Sequence, residues 1–340
     1  MTTNSHKKIV VLGTGGTIAG KAHDGADNIG YKAGEVGVDQ LLAAIPGLQR
    51  GPYAVVTEQV AQLDSKDMGF AVWQRLAGRV QALLADVDVQ GIVITHGTDT
   101  LEETAYFLHV LLNPAKPVVF TCAMRPASSQ APDGPQNVLD AVAVASLSGA
   151  RGVVVVCAGT IHSAVDVQKM HTYRVDAFGS GDAGPVGYVE ESVVRLVRNW
   201  PLALVNYAPA AIKMIVDMPV WPRVEVLTSH AGASGAIVRA LMNPNRNPGH
   251  NDSAAGDRAA NDAPVMGLVI AATGNGTIHR DLEEALLAVQ ASGVAVVRAT
   301  RCPLGRVIST PDARMADSNG LSPVKARIAL MLALAAGLPA

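Results

Sequence analysis

The chain contains 340 residues, of which 27 are basic and 29 are acidic, so its formal net charge at pH 7 is −2. A chain this close to neutral lacks the basic field that would hold nucleic acid, and we predict no nucleic-acid partner. Hydrophobic residues make up 49% of the sequence and charged residues 16%, which allows a sizeable core in one large or two medium-sized domains.

Short β-branched runs alternate with longer segments whose apolar residues recur with the helical period of about 3.6. This alternation is typical of α/β proteins with parallel sheets and right-handed crossovers. Helix starts are indicated by Thr100–Glu103, which fits a capping box, by Pro135, and by Ser322 followed by Pro323. The predicted strands are Lys8–Leu12, Gly91–Thr95, Pro117–Cys122, Gly152–Cys157, Arg223–Leu227, Gly267–Ala272 and Val294–Ala299, and the predicted helices are Gly69–Leu84, Leu101–Leu112, Asn137–Leu147 and Leu282–Ala291.

Prolines between about residues 200 and 220 interrupt the periodic pattern and indicate a linker. We therefore predict a parallel-sheet-rich N-terminal domain over residues 1–200, a linker over 201–220, and a smaller α/β C-terminal domain over 221–340. The polar segment at about 243–263 is rich in Asn, Gly, Asp and Ala. We interpret it as an exposed, mobile insertion.

The three cysteines, Cys122, Cys157 and Cys302, match neither a zinc-ligand spacing nor a disulfide framework. Cys122 and Cys157 lie in apolar, strand-like runs, where small buried thiols are common. The apolar run Ile9–Leu12 is too short for the core of a signal peptide, and no other apolar stretch is clearly long enough to span a membrane. We expect a cytoplasmic protein with no metal and no membrane partner.

A glycine-rich segment, Gly13–Gly20, directly follows the first predicted strand. The dinucleotide-binding fingerprint would need glycine at Ile18, and a phosphate-binding loop would need a lysine that the segment lacks. What remains is the Thr17 hydroxyl on a tight loop at the C-terminal edge of a parallel sheet, where α/β proteins bind ligands. From this segment alone, a Thr17 that merely caps a turn is an equal alternative.

A second polar segment, Thr95–Thr100, follows a predicted strand and opens the next helix. In isolation, Asp99 or Thr100 is explained there as a plain N-cap, but two strand-end loops that present hydroxyls and a carboxylate favour a ligand site. His96 has no Gly-x-Ser-x-Gly elbow beside it, so we predict a packing histidine rather than a base. Lys169 lies near an apolar strand end and, by itself, would be interpreted as a surface lysine whose ammonium group is in water.

Two long segments of the sequence resemble the signature segments of bacterial L-asparaginases, namely Thr14–Gly20 and Gly91–Leu108. Shorter matches follow in order along nearly the whole chain. The resemblance implies hydrolysis of a small-molecule substrate, L-asparagine, to aspartate and ammonia by a threonine nucleophile through an acyl-enzyme, without a cofactor. It also implies a homotetramer of close dimers whose sites are completed across an interface. The shorter matches are Ala123–Pro126, Asp133–Pro135, Gly274–Gly276 and Pro323–Arg327.

Position by position, the resemblance assigns the nucleophile to Thr17 and the assisting tyrosine of a mobile lid to Tyr31. Thr98, Asp99 and Lys169 match the threonine–aspartate–lysine triad of the family. The substrate-binding residues that it implies are Ser65, Lys66, Gly97, Thr98, Asp99 and, from a neighbouring subunit, Asn275.

These residue types suit that chemistry. A threonine hydroxyl is a weak nucleophile until a base takes its proton, and a desolvated lysine beside a threonine and an aspartate can lose a proton. Backbone N–H groups of the glycine-rich loops can stabilise an oxyanion. The segment Gly20–Gly37, with three glycines between its ends, is predicted to be a flap that closes over substrate.

Two positions depart from the family pattern. Many relatives carry glutamine or glutamate at Lys66, and a cation there would repel the substrate's α-ammonium unless it points away or pairs with the α-carboxylate. Relatives with strong glutaminase activity supply a glutamate near Arg301–Asp312, a segment that contains none here. We therefore expect weak glutaminase activity.

Two other functions are compatible with the same motifs. One is the amidase subunit of a tRNA-dependent amidotransferase, which usually carries an added N-terminal domain; we expect it less because the threonine motif here begins near the start of the sequence. The other is a non-catalytic protein that binds an amino acid or a nucleotide on an α/β scaffold.

Overall fold

The structure, a computed structural model, describes residues 7–203, 205–243 and 263–339. It divides into two compact units, with the boundary between Tyr207 and Ala208. The predicted insertion at about 243–263 lies outside the described residues except for its first and last positions.

The first unit begins with parallel strands that alternate with helices and ends with short antiparallel strands. Its helices are α1 Val38–Ala43, α2 Phe70–Ala85, α3 Leu101–Leu112 and α4 Gly134–Ser146, and its strands are β1 Lys8–Gly15, β2 Ala54–Leu63, β3 Val89–Thr95, β4 Pro117–Thr121, β5 Gly152–Cys157, β6 Thr160–Ser163, β7 Gln168–Lys169, β8 Phe178–Gly179, β9 Gly187–Glu190 and β10 Val193–Leu196.

Eight of these strands form one sheet in the order β10-β9-β6-β5-β4-β3-β1-β2. The pairings from β2 to β5 are all parallel, and those among β5, β6, β9 and β10 are antiparallel. Strands β7 and β8 pair with each other in a separate two-stranded sheet. Because β1, β2 and β3 are parallel neighbours, the loops that follow them emerge at the same edge.

Helix α2 illustrates why the sequence forms these elements. Val72, Leu76, Val80 and Leu83 recur at helical spacing and are all buried, so one stripe of the helix faces the core. Trp73 on the same helix stacks on an α3 phenylalanine, with ring centroids 4.7 Å apart.

The second unit is a smaller, wholly parallel sheet in the order β11-β12-β13-β14. Its core includes Leu268, Ile270, Leu282 and Leu286. The strands are β11 Arg223–Thr228, β12 Val265–Ala272, β13 Ala295–Thr300 and β14 Ala316–Asp317, and the described helices are α5 Pro209–Val216, α6 Ala236–Leu241, α7 Arg280–Ala291 and α8 Pro323–Ala335. Helix α5 falls inside the predicted linker.

The predicted α/β class, with a parallel-rich first sheet and a smaller second one, is confirmed. Each predicted strand and helix is present with small shifts of its ends; β1, for example, continues to Gly15 rather than ending at Leu12. The predicted helix start at Thr100 is confirmed, but the prediction that the Thr100 side chain forms a capping box is wrong. Thr100 does occupy the N-cap position of α3, but its hydroxyl makes no cap and instead donates to the Ser65 carbonyl oxygen, 2.7 Å away.

Within the described ranges, no helix combines the length and the apolar character that crossing a membrane requires.

Candidate active site

The loop after β1 places Thr17 at the edge of the large sheet. Gly15 and Gly16 adopt φ values of +100° and +81°, which only glycine accepts readily. They lead into a 3-10 helix that begins at Thr17. The Gly16 N–H donates to the Leu63 carbonyl oxygen at 2.9 Å, so the loops after β1 and β2 are joined. Thr17 is 7% exposed.

Close backbone packing brings the loop after β3 against the loop after β1. A Cβ on Gly16 would lie 2.3 Å from the Gly97 Cα, and a Cβ on Gly97 would lie 2.5 Å from the Ser65 Oγ. The residue after Gly97 is Thr98, which is buried. Thr17, Ser65 and Thr98 therefore come from three loops that meet at one sheet edge, as their positions after β1, β2 and β3 require.

Lys169 reaches the same edge from the separate sheet. Its Nζ donates to the Thr98 Oγ1 at 2.8 Å and to an Asp99 carboxylate oxygen at 2.5 Å. The Lys169 side chain is 21% exposed and that of Asp99 53% exposed, so the ion pair opens to solvent through the aspartate. The structure thus brings Lys169 to Thr98 and Asp99, which lie 71 and 70 positions earlier in the sequence.

Tyr31 lies beside Thr17 on the predicted flap. The Thr17 and Tyr31 hydroxyl oxygens share a hydrogen bond of 2.6 Å. A Cβ on Gly20 would come within 2.8 Å of the Tyr31 ring, so this ring fills the space beside the glycine. Asp27 accepts hydrogen bonds from the N–H groups of Ile29 and Gly30 and fixes the turn that precedes the tyrosine.

Ser65 and Lys66 stand side by side but in different surroundings. Ser65 is buried, and its Oγ accepts a hydrogen bond of 3.2 Å from the Asp99 N–H. Lys66 is exposed, and its Nζ lies 2.6 Å from an Asp64 oxygen and 3.3 Å from an Asp67 oxygen. Hydrogen bonds to Asp64 and then to Asp67 raise the pKa of Lys66. Its positive charge is therefore offset by two carboxylates.

Asn275 belongs to the second unit, at an exposed turn after β12. Its amide nitrogen donates to the Ile308 carbonyl oxygen at 3.0 Å, and its amide oxygen accepts from the Ile308 N–H at 2.7 Å. Asn275 thus fastens its own turn to the segment Arg301–Asp312. Its role in a neighbouring subunit's site stays a prediction.

His96 is a packing residue, as predicted. It is fully buried, its Nδ1 lies 2.7 Å from the Gly97 carbonyl oxygen, and its ring packs against Phe120. Burial lowers the pKa of His96 to about 4, so the ring is uncharged at neutral pH. The prediction that Cys122 and Cys157 are buried is also confirmed.

Two carboxylates that were not among the predicted site residues accept backbone hydrogen bonds in the first unit, and one of them, Glu102, contacts Lys169. Asp133 accepts hydrogen bonds from the N–H groups of Met124 and Arg125, both at 2.9 Å. Glu102 accepts one from the Lys169 N–H at 2.7 Å. Both lie in segments that resemble the family. A carboxylate at the start of a helix is ordinarily explained by the helix dipole, so nothing in the sequence indicated their contacts with other segments. In the part of the chain that the structure describes, no group of three or more His, Cys, Asp or Glu side chains is arranged to hold a metal ion.

Comparison with known proteins gives a match along nearly the whole chain. Residues 8–202 match the family described as "Asparaginase, N-terminal", and residues 223–340 match the "Glutaminase/Asparaginase C-terminal domain". L-asparaginase 2 of Escherichia coli is 36% identical over 335 residues, covering 96% of this chain and 88% of that protein. The probable periplasmic L-asparaginase of Haemophilus influenzae is 35% identical, with coverage of 96% and 88%. The crystal structure of a probable cytoplasmic L-asparaginase from Campylobacter jejuni has a TM-score of 0.83 and 34% identity, covering 96% of this chain and 95% of that one.

The close approach of the first and third loops predicts a specific sensitivity at Gly16. Gly149 also has φ of +81°, but a Cβ there would meet nothing within 4 Å. We expect Gly149→Ala to lower the free energy of unfolding by about 1–2 kcal/mol through backbone strain. Gly16→Ala should cost about 1–3 kcal/mol more, because its methyl group would overlap the Gly97 backbone.

Urea-induced unfolding of both variants, compared over the same transition, measures the difference. Equal losses at Gly16 and Gly149 would mean that the loops separate readily, contrary to the packing described above.

Proposed function

This chain belongs to the asparaginase family, and we propose that it hydrolyses L-asparagine to L-aspartate and ammonia with Thr17 as the nucleophile. The observation that best supports this proposal is the hydrogen-bonded set at one sheet edge. The Thr17 hydroxyl is hydrogen-bonded to the Tyr31 hydroxyl, and the Lys169 ammonium is hydrogen-bonded to Thr98 and Asp99. These groups are a nucleophile and a proton relay, which amide hydrolysis requires.

The proposed reaction has two halves. The Thr17 oxygen, which is hydrogen-bonded to Tyr31, attacks the carbon of the side-chain amide. Its proton passes by way of Thr98 to the Lys169 amine, which returns it to the amide nitrogen. The C–N bond breaks, and the nitrogen leaves with this proton as ammonia, so that an ester links the aspartyl group to Thr17. A water molecule then attacks the ester, which frees aspartate and restores the hydroxyl. Backbone N–H groups beside Gly97 stabilise the negative oxygen formed in each half.

A lysine acts as a base only in its neutral form, which a nearby cation and the loss of water both favour. In the proposed complex the substrate's α-ammonium binds Asp99, whose carboxylate lies 2.5 Å from the Lys169 Nζ, and closure of the flap removes water from both. We therefore assign the base to Lys169, linked to the reacting atoms by Thr98.

Substrate recognition follows from the remaining charges. Ser65 holds the α-carboxylate through its hydroxyl, and Asp99 holds the α-ammonium. Lys66 is already paired with Asp64 and Asp67, so it repels the ammonium less than an unpaired lysine would. In the proposed homotetramer, Asn275 of a neighbouring subunit completes the site.

We also propose a cytoplasmic location. The name of the Campylobacter jejuni relative supports it, whereas that of the Haemophilus influenzae relative points to the periplasm. Fractionation of the native host, with detection of the protein in each compartment, decides between the two.

Replacing the nucleophile tests the central assignment. We expect Thr17→Ala to abolish ammonia release from asparagine, because no hydroxyl remains to form the ester, while the thermal midpoint stays close to that of the wild type. Thr17→Ser keeps the hydroxyl and should retain part of the activity. Activity in Thr17→Ala would mean that another group attacks the amide. Binding of aspartate and asparagine by calorimetry without any wild-type turnover would instead favour a non-catalytic binder.

Replacing the base tests the relay. We expect Lys169→Met to lower kcat by roughly 10²–10⁴-fold, because the methionine side chain accepts no proton. Lys213→Met is a matched control, since Lys213 also pairs with a carboxylate, that of Asp217, on an exposed helix. It should leave kcat unchanged. A mild loss in Lys169→Met would assign proton transfer to another group.

The absence of a glutamate from Arg301–Asp312 predicts a preference for asparagine over glutamine. In a coupled ammonia assay at equal substrate concentrations, we expect turnover of glutamine to be far below that of asparagine, with D-asparagine as a third arm. Comparable rates on glutamine and asparagine would show that this segment does not set the preference.

A further inference from the structure

The segment 98–102 contacts Lys169 twice, at the ammonium group of its side chain and at its backbone N–H. Thr98 and Asp99 bind its Nζ, at 2.8 Å and 2.5 Å. Glu102, in the first turn of α3, binds its backbone: the Lys169 N–H donates to the Glu102 Oε2 at 2.7 Å. Segment 98–102 therefore contacts both the lysine head group and the backbone from which the side chain extends.

The backbone contact matters because it reaches beyond the small sheet to which Lys169 belongs. Its strand β7 is two residues long and pairs with β8, where Lys169 lies opposite Phe178, and the next N–H, that of Met170, donates to the Ala177 carbonyl oxygen at 2.7 Å. Among the described residues, no pairing of the eight-stranded sheet includes β7. Thr98 and Asp99, in contrast, directly follow β3 in the middle of that sheet. The Glu102 carboxylate is thus a direct bond between the lysine's backbone and the element that carries its partners.

A displacement of the Lys169 backbone would also move its Nζ relative to Thr98 and Asp99. A misplacement of about 1 Å in a catalytic group can cost roughly a hundredfold in rate. We propose that Glu102 is a positioning residue, which fixes the backbone of Lys169 so that its Nζ meets Thr98 and Asp99. The effect on rate rests on the proposed function, because it requires Lys169 to take part in the reaction.

Two simpler roles for Glu102 predict different behaviour. As a negative charge at the N-terminus of α3, it would stabilise the helix through the dipole. As a negative charge near Lys169, it would favour the ammonium form of the lysine. Both roles need the charge and neither needs the full length of the side chain. The positioning role needs an acceptor oxygen at the reach of glutamate and does not need the charge.

Two substitutions separate reach from charge. Glu102→Gln keeps the length and an acceptor oxygen but removes the charge, and Glu102→Asp keeps the charge but shortens the side chain by one methylene. We expect kcat on asparagine to fall by roughly ten- to a hundredfold in Glu102→Asp and to stay within about threefold of the wild type in Glu102→Gln, with KM little changed in both. Asp281→Asn, at the same second position of helix α7, controls for loss of a first-turn charge and should leave kcat unchanged.

Hydrogen exchange at the Lys169 amide tests the contact without an activity measurement. We expect faster exchange in Glu102→Asp than in the wild type, and near wild-type exchange in Glu102→Gln. The proposal is overturned by wild-type kcat in Glu102→Asp, by a larger loss in Glu102→Gln than in Glu102→Asp, or by unchanged exchange in Glu102→Asp. If the wild type releases no ammonia from asparagine, the proposed function fails, and the exchange measurement still decides whether Glu102 holds the Lys169 backbone.

Discussion

The site depends on how closely three backbone loops approach one another. The Gly16 and Gly97 backbones leave no room for a methyl group between them, and Gly97 leaves none beside Ser65. Because each loop follows one of three adjacent parallel strands, this packing brings their side chains to one edge of the sheet. Any side chain at Gly16 or Gly97 would push apart the hydroxyls that the proposed chemistry requires close together.

Charge within this edge is distributed unevenly, and the distribution defines two regions. Lys66 is offset by Asp64 and Asp67, so that corner carries no uncompensated cation. Asp99 pairs with Lys169 and with no other charged side chain in the described part of the chain, and it is half exposed, which leaves it able to accept a second cation from solution. A substrate with an α-ammonium would therefore be drawn to Asp99 and would, by the same contact, weaken the hold of Asp99 on the lysine.

The sequence predicted the parts of the fold and site that depend on local pattern. Buried parallel strands such as Gly152–Cys157 are continuous apolar runs, and glycines after a strand mark a ligand edge. Strand β2 was missed because it lies at the sheet edge, where polar residues interrupt the apolar pattern. Lys169 was assigned only through family resemblance, since its contacts join residues seventy positions apart on a two-residue strand that has no periodic signal. For the same reason, the acceptor role of Glu102 was not foreseen.

Thr17, the proposed nucleophile, and Tyr31, proposed to assist it, differ in how they are held. Thr17 follows β1, which has strands on both sides in the large sheet, so its position is set by the core. Tyr31 lies on the predicted flap, Gly20–Gly37, which is held by individual hydrogen bonds: the Ala127 N–H donates to the Gly20 carbonyl oxygen, the Gly34 N–H to that of Gly16, and the Val36 N–H to that of Ala19. A loop held by individual hydrogen bonds opens at a smaller cost than a sheet unfolds. If the flap opens in this way, the Tyr31 hydroxyl moves away from Thr17, and the activation proposed for Thr17 then requires the flap to close over the substrate.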